Sequence, residues 1–167
     1  MAEKKMREDS YLRRPQSQDW SGWKKAMVPE NNGKNTVSRW QNQEGFIWKK
    51  LLSDTNLTEL CGIYEWRAIE QDQTNPVVVY VGSTCTRRGI CKKLHSRILG
   101  YCYHGSHKKD QINQALRRGY TLEVRYKEAK DEVDAKKQEN DLLDKYDYAW
   151  NKRRNGGNNG IRDILPE

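Results

Sequence analysis

The residue of clearest chemical interest is a glutamate on the apolar side of a helical pattern. One face of the helix predicted over 132–150 carries residues spaced i, i+3, i+4 and i+7, namely Glu139, Leu142, Leu143 and Tyr146. A carboxylate on an inward face is costly unless a cation or hydrogen bonds meet it. The pattern is therefore typical both of a salt bridge to a buried arginine and of a metal ligand or acid–base group.

A second group combines two cations and a phenol. Lys93, Arg97 and Tyr101 are spaced i, i+4 and i+8 in a helix predicted over 92–103, so they form one stripe. An ammonium, a guanidinium and a phenol on one face suit a phosphate. By itself, the stripe is more typical of a solvated basic face with a tyrosine packed at its edge.

Two tyrosines in neighbouring strands add further phenols. Tyr64 lies in a strand predicted over 60–68, and Tyr80 lies in a strand predicted over 77–81 that ends at Gly82. A phenol acts as a general base only if its pKa of about 10 is lowered, which nearby cations would do. Paired tyrosines in strands are otherwise a packing feature.

Three histidines have separate interpretations. His95 is predicted on the surface of the 92–103 helix. His104 and His107 fall in the loop after Tyr103, where they are candidates for phosphate contact or proton transfer.

The elements that must position these groups follow from periodicity. The pattern predicts strands over 60–68, 77–81 and 121–127, and helices over 92–103, 109–118 and 132–150. The polar stretch 72–76 makes the first two strands a hairpin, and Gly119 ends the second helix. This order predicts an α/β (α+β) fold with a small three-stranded antiparallel sheet flanked by helices.

The first 59 residues differ in character from the rest. They are predicted to form a polar, basic arm, a Trp-rich stretch at 19–23 and a helix over 36–52, with the main domain spanning 60–167. This extension is predicted to brace the core, because Trp is chiefly a burial residue. Alternatively, arm residues such as Arg13 and Arg14 contact DNA.

The ordered residues resemble a known family. Gly62-Ile63-Tyr64 followed by Tyr80-Val81-Gly82 resembles the motif of the GIY-YIG nucleases. The family's later positions, an Arg, a His or Tyr one turn on, a Glu and an Asn, are matched in order by Arg97, Tyr101, Glu139 and Asn151, with Asn155 as the fallback. The long gap after Gly82 leaves Arg87 or Arg88 as rivals for the Arg position. The resemblance covers residues 60 to about 155 and extends both to the restriction enzymes and to the plant effector-of-transcription branch.

The resemblance implies a metal-dependent DNA endonuclease. Glu139 would hold one Mg²⁺ or Mn²⁺, and Tyr64 would be the general base. Arg97, helped by Lys92 or Lys93, would clamp the phosphate and lower the phenol's pKa, with Tyr80 and Tyr101 completing the hydrogen-bond shell. Gly62 and Gly82 are motif glycines, and Gly82 is expected to let the backbone pass close to a packed helix. Asn151 is expected to orient the helix end or a water and, like Arg87, Arg88, His104 and His107, is a candidate for DNA or phosphate contact.

Composition is compatible with that function without establishing it. The 167 residues include 31 Lys and Arg against 23 Asp and Glu, a net charge of +8 that favours a polyanionic partner such as DNA. No apolar run is long enough for a membrane span, and the charged first ten residues show no signal peptide, so an intracellular protein of the cytoplasm or nucleus is expected. Cutting both strands with one site would need two encounters or a homodimer.

Two other functions compete with the nuclease. One is a DNA-binding regulator without catalysis on the same fold, which would have no need of Glu139 on the apolar stripe. The other is a structural zinc protein using Cys61, Cys85, Cys91, Cys102 and His95, whose spacings are poor for zinc.

Overall fold

The computed structural model describes residues 5–6, 20–29, 59–70, 76–85, 92–104 and 106–151. The strands are β1 (Lys5–Met6), β2 (Lys24–Met27), β3 (Gly62–Glu70), β4 (Val77–Ser83), β5 (Tyr120–Glu128) and β6 (Tyr146–Asp147). The helices are α1 (Leu94–His104), α2 (Lys109–Arg117) and α3 (Glu132–Lys145), with a 3₁₀ turn over Ser106–Lys108. The predicted helix over 36–52 lies outside these residues.

The main sheet has four strands in the order β2-β5-β3-β4, and its pairs are antiparallel. The predicted α+β fold and the β3–β4 hairpin are confirmed, but the sheet has one strand more than the three predicted. The additional strand is β2, whose Ala26 and Met27 are buried. Its four residues, KKAM, do not alternate as a half-buried strand would, so the sequence carries no period-2 signal there.

Alternation along β3 and β5 divides the core between the two faces of the sheet. One face carries Tyr64, Trp66 and Val124 and packs with buried residues of α1 and α2, including Ile98 and Ile112. On the other face, α3 packs against β3 and β4. A bulge between Trp66 and Arg67 interrupts the β3–β4 register, so Val79 has no Cα partner on β3.

The last predicted helix is shorter than expected. It ends at Lys145 rather than Trp150, because Tyr146 is extended and the chain then forms β6, which pairs in parallel with β1. Beyond β6, the Trp150 N–H donates to the Val79 carbonyl at 2.8 Å. This tertiary contact with β4 therefore overrides the helical periodicity. No helix in the described parts of the chain is long and apolar enough to cross a membrane.

Candidate active site

Three buried phenols meet where β3 begins and β4 ends. Tyr64 Oη donates to Tyr101 Oη, and Tyr101 Oη donates to Tyr80 Oη, each over 3.1 Å. The rings lie 5.7 to 6.4 Å apart in tilted orientations. The two strand tyrosines and the helix tyrosine therefore form one hydrogen-bonded cluster. Tyr101 of the α1 stripe is buried, whereas Lys93 and Arg97 of the same stripe are half-buried.

Gly82 makes room for this cluster. It pairs with Tyr64 across the hairpin, and a Cβ at position 82 would lie 2.5 Å from Tyr64 Oη and 2.7 Å from Cζ. Real Cβ atoms do not approach so closely, and the Tyr64 ring is enclosed and cannot swing away. The space at Gly82 is thus taken by the phenol and not by a packed helix, which corrects the expected reason for this glycine.

Gly62 allows a different close contact, between the backbones of β3 and β5. A Cβ there would meet the Lys127 carbonyl oxygen of β5 at 2.1 Å. The same residue donates its N–H to Thr84 Oγ1 at 3.1 Å and accepts from the Thr84 N–H at 2.9 Å. Because Lys92 N–H donates to the Thr84 carbonyl and Leu94 N–H to that of Leu60, the chain entering α1 is fastened to the same end of the sheet.

Burial keeps the phenols protonated. Desolvation raises the pKa of Tyr64 well above its usual range and Tyr101 raises it further, whereas Arg97 acts to lower it. Burial likewise raises the pKa values of Tyr80 and Tyr101. The expected effect of Arg97 has the right direction, but the expected net lowering of the Tyr64 pKa is wrong, because desolvation outweighs it.

Arg97 is the cation of the cluster. Burial acts to lower the pKa of its guanidinium, but Tyr64, Tyr101 and Tyr80 raise it more, so the group stays charged. The guanidinium carbon lies 5.8 Å from the Tyr101 ring centre. Its Nε is buried and has no hydrogen-bond partner among the described residues. A buried donor of this kind fits an incoming anionic oxygen.

Glu139 reaches the site from α3. Its side chain is buried, and Oε2 accepts from Ser83 Oγ and pairs with Lys136 Nζ at 3.0 Å. Its charge also raises the pKa values of Tyr64 and Tyr80, so the carboxylate and the phenols share one electrostatic environment. The partner expected for a structural salt bridge, a buried arginine, is absent from the described contacts of Glu139. Lys136, whose side chain is 37% exposed, takes that place.

Two other predicted residues have defined contacts. The Asn151 amide accepts from the Val81 N–H and donates to the Val81 carbonyl, each at 3.0 Å, and so caps the outer edge of β4. A phosphate contact by Asn151 stays a prediction. His107 Nε2 lies 3.1 Å from Tyr80 Oη, which joins the histidine to the phenol cluster.

The remaining predicted residues lie at the edge of the site or outside the described chain. Lys92 is exposed, and Lys93 Nζ lies 3.5 Å from Cys61 Sγ. Arg87, Arg88 and Asn155 lie outside the described residues, as does the side chain of His104.

The zinc alternative requires several cysteine or histidine side chains that lie close together. Cys61, Cys85 and Cys102 form no disulfide. Among the residues that the structure describes, no three His, Cys, Asp or Glu side chains lie together as a metal site would require. A single carboxylate such as Glu139 nonetheless suits Mg²⁺, which keeps several waters and is commonly held by one or two carboxylates and substrate phosphates.

Sequence reasoning missed the immediate partners of Glu139. Ser83 is the first residue after the Tyr80-Val81-Gly82 motif, and a polar residue at a buried strand end was the available signal. Lys136 precedes Glu139 by three residues on α3, and this i, i+3 spacing also predicts contact.

Comparison with known proteins supports the assignment that this geometry suggests. The family model described as GIY-YIG domain-containing protein matches residues 20–165, which is most of the chain. Comparison with curated proteins and with solved structures gives no match. The matched range holds the phenol cluster, Arg97 and Glu139, and at family level it supports a nuclease domain that acts on DNA. The chain belongs to the GIY-YIG family.

Proposed function

We propose that this protein is a divalent-metal-dependent endodeoxyribonuclease that hydrolyses a phosphodiester bond by in-line attack of water. The observation that carries the proposal is the convergence of Arg97, three phenols and Glu139 at one end of the sheet. A cation, hydroxyl groups and one carboxylate are the groups that such a hydrolysis requires.

Arg97 is proposed to bind the scissile phosphate. Its charge is retained, and its buried Nε has no partner among the described residues, so a phosphate oxygen would satisfy a donor that is otherwise costly to bury. Lys92 and Lys93 precede α1 at the same end of the sheet and are proposed to attract the DNA backbone. Such contacts carry affinity and make it salt-dependent.

Glu139 is proposed to hold the divalent cation, Mg²⁺ or Mn²⁺. When bound, the ion would neutralise negative charge that develops on the phosphate and the leaving oxygen. Ser83 supports this role by fixing the carboxylate through a hydrogen bond to Oε2. Lys136 balances the same carboxylate.

Tyr64 is proposed to accept the proton of the attacking water. Because its phenol is protonated at neutral pH, it can accept that proton only while releasing its own. It already donates to Tyr101, which provides the outlet. Tyr80 and Tyr101 are therefore proposed to hold the base in position and to carry the displaced proton away from it.

Three finer features are part of the proposal. The site has a single carboxylate, and it suits either Mg²⁺ or Mn²⁺. Restriction-type sequence specificity and a homodimer that cuts both strands are consistent with the small size of the chain. Each is decided by the cleavage experiment and by the molecular mass in solution.

The test is cleavage of supercoiled plasmid by purified protein in Mg²⁺, with EDTA and Glu139→Ala as comparisons. We expect cleavage to require metal and to disappear in Glu139→Ala, while DNA binding persists. Asp141→Ala removes an exposed carboxylate two residues away on the same helix, and it should cut normally. Equal cutting by Glu139→Ala would remove Glu139 from the site.

The products and the binding curve separate the remaining functions. Discrete fragments would indicate sequence-specific cleavage, and a smear would indicate cleavage without sequence specificity. Absence of cleavage, together with a gel shift that weakens as salt rises, would replace the nuclease by a non-catalytic DNA-binding regulator.

A further inference from the structure

The phenol cluster continues into a fourth side chain that reaches solvent. Tyr64 donates to Tyr101, Tyr101 donates to Tyr80, and Tyr80 Oη lies 3.1 Å from His107 Nε2. The first three residues are buried, whereas His107 is exposed. The chain therefore runs from the proposed base, with both phenol–phenol hydrogen bonds donated in the same direction, to a titratable group at the surface.

A buried phenol needs such an outlet. The proton taken from the attacking water cannot remain as an additional proton on Tyr64, and burial opposes formation of a tyrosinate there. Tyr101 and Tyr80 are equally unsuited to hold a charge, since both are buried. Histidine is the side chain whose charge changes between about pH 5 and pH 8, so it suits the end of the chain.

We propose that His107 is the terminal proton acceptor of the reaction and receives, through the Tyr64–Tyr101–Tyr80 relay, the proton lost by the attacking water. This inference rests on the proposed nuclease function and assigns to His107 a catalytic role in place of phosphate contact. It also makes the order of the hydrogen bonds, and not only their presence, part of the mechanism.

The proton balance closes through the relay and the solvent. As the water oxygen bonds to phosphorus, its proton moves to Tyr64 Oη, the Tyr64 proton to Tyr101 Oη, the Tyr101 proton to Tyr80 Oη, and the Tyr80 proton to His107 Nε2. The bond between phosphorus and the leaving oxygen breaks, and that oxygen takes a proton from solvent. Each phenol is regenerated, and the exposed imidazolium returns its proton to solvent.

The surroundings of the imidazole are compatible with this transfer. Its ring lies 5.8 Å from the Tyr80 ring of β4 and 5.7 Å from the Tyr101 ring of α1. On its own turn, Ser106 Oγ lies 3.4 Å from Nδ1, so a proton on Nδ1 leaves Nε2 as the acceptor. Lys108 is the neighbouring cation; it donates to the Trp150 carbonyl and stands 5.1 Å from the Tyr80 ring centre.

The decisive variant is His107→Gln, which keeps a hydrogen-bonding side chain that does not titrate near neutral pH. We expect the cleavage rate at saturating DNA to fall about 100-fold or more, as for loss of an acid–base group, with DNA affinity unchanged. The acid limb of the pH–rate profile should disappear, and free imidazole should partly rescue His107→Ala. His95→Gln, a half-buried histidine of α1 outside the relay, should cut like the unaltered chain.

Two results would overturn the relay. One is a normal rate at saturating DNA in His107→Gln with weakened binding, which would mean a phosphate contact. The other comes from ¹⁵N NMR of the unaltered protein at pH 8, where a proton on Nε2 instead of Nδ1 would leave no acceptor, whether or not DNA is cut. Absence of cleavage by the unaltered chain is a separate result, which refutes the proposed nuclease and, with it, the reaction that the relay serves.

Discussion

The two faces of β3 bury polar groups in opposite ways. On one face, Tyr64, Tyr80 and Tyr101 are neutral hydroxyl groups joined by hydrogen bonds beside the cation Arg97. On the other face, charged side chains form two cross-strand ion pairs at register positions of β3 and β5, namely Glu65–Arg125 and Arg67–Glu123. The same strand therefore contributes a neutral network to one side and a charged network to the other.

The two ion pairs of this face are satisfied from within the protein. Arg125 Nε donates to Glu65 Oε2 at 2.8 Å, and Tyr148 Oη donates to Oε1 at 2.7 Å. The Trp23 ring lies 4.5 Å from the Arg67 guanidinium and 4.6 Å from that of Arg125. Opposite charges and the Trp23 indole satisfy these four charged side chains, so the ion pairs have a structural role.

The phenol face is left incomplete by comparison. Arg97 keeps a buried donor without a partner among the described residues, and the phenols around it hold their protons. The difference shows that burial of polar groups does not by itself mark a functional site. What marks the site is the half-buried cation Arg97 beside neutral phenols, because an anionic substrate can then supply the missing charge.

The largest expected effect is on the charged face. Glu65→Ala leaves Arg125 largely buried and removes the acceptor of the Tyr148 hydroxyl. We expect the free energy of unfolding, measured in urea, to fall by about 3–5 kcal/mol, with cleavage per folded molecule unchanged. Asp141→Ala breaks the exposed pair with Lys137 and should leave the urea midpoint nearly unaltered. Similar midpoints for the two variants would refute a structural role for this face.

Alkaline pH should destabilise the folded protein through the buried phenols. Tyrosines of the unfolded chain lose their protons above about pH 10, whereas burial raises the pKa values of Tyr64, Tyr80 and Tyr101 in the folded protein. The free energy of unfolding should therefore be unaffected by the phenols below about pH 10. Above that pH it should fall by about 1.4 kcal/mol per pH unit for each phenol. The slope, from urea unfolding at several pH values, should be smaller in Tyr80→Phe; an identical slope would contradict the burial argument.

Gly82→Ala should separate packing from chemistry on the phenol face. The added Cβ meets the Tyr64 hydroxyl and ring and must displace them, so we expect cleavage to fall about 100-fold. Gly100→Ala is the matched control, since a Cβ at that position of α1 meets nothing within 4 Å. It should cut normally and be slightly more stable, because alanine favours a helix. Normal cutting by Gly82→Ala would show that the position of Tyr64 is not critical.

The smallest expected effect concerns Lys136. Its ammonium competes with a divalent cation for Glu139, so Lys136→Gln should bind Mn²⁺ more tightly. The pair is partly exposed, and the gain should be no more than about fivefold, measured by calorimetry in the absence of DNA. Weaker Mn²⁺ binding would mean that Lys136 supports the metal site instead of competing for it.

The parts of the site that depend on the spacing of residues within one helix or strand were predictable. The helical spacing places Glu139 on the buried face of α3, and the two strands carry Tyr64 and Tyr80, as predicted. The α1 spacing also aligns Arg97 with Tyr101, although it did not distinguish a buried stripe from a solvated one. The net shift of the Tyr64 pKa was not predictable, because it depends on burial by residues distant in sequence.

The sequence by itself determined the types of β3, β4, β5 and the three helices, the order of the motif residues and membership of the family, because periodicity and residue identity are properties of the chain. Only the tertiary structure decided that Tyr64 occupies the space of a Cβ at Gly82, that β2 completes the sheet and that α3 stops at Lys145. It also decided that the hydrogen-bonded chain of three phenols continues to His107. Such contacts join residues far apart in the sequence, and the burial and charge that govern their chemistry exist only once the strands and helices have packed.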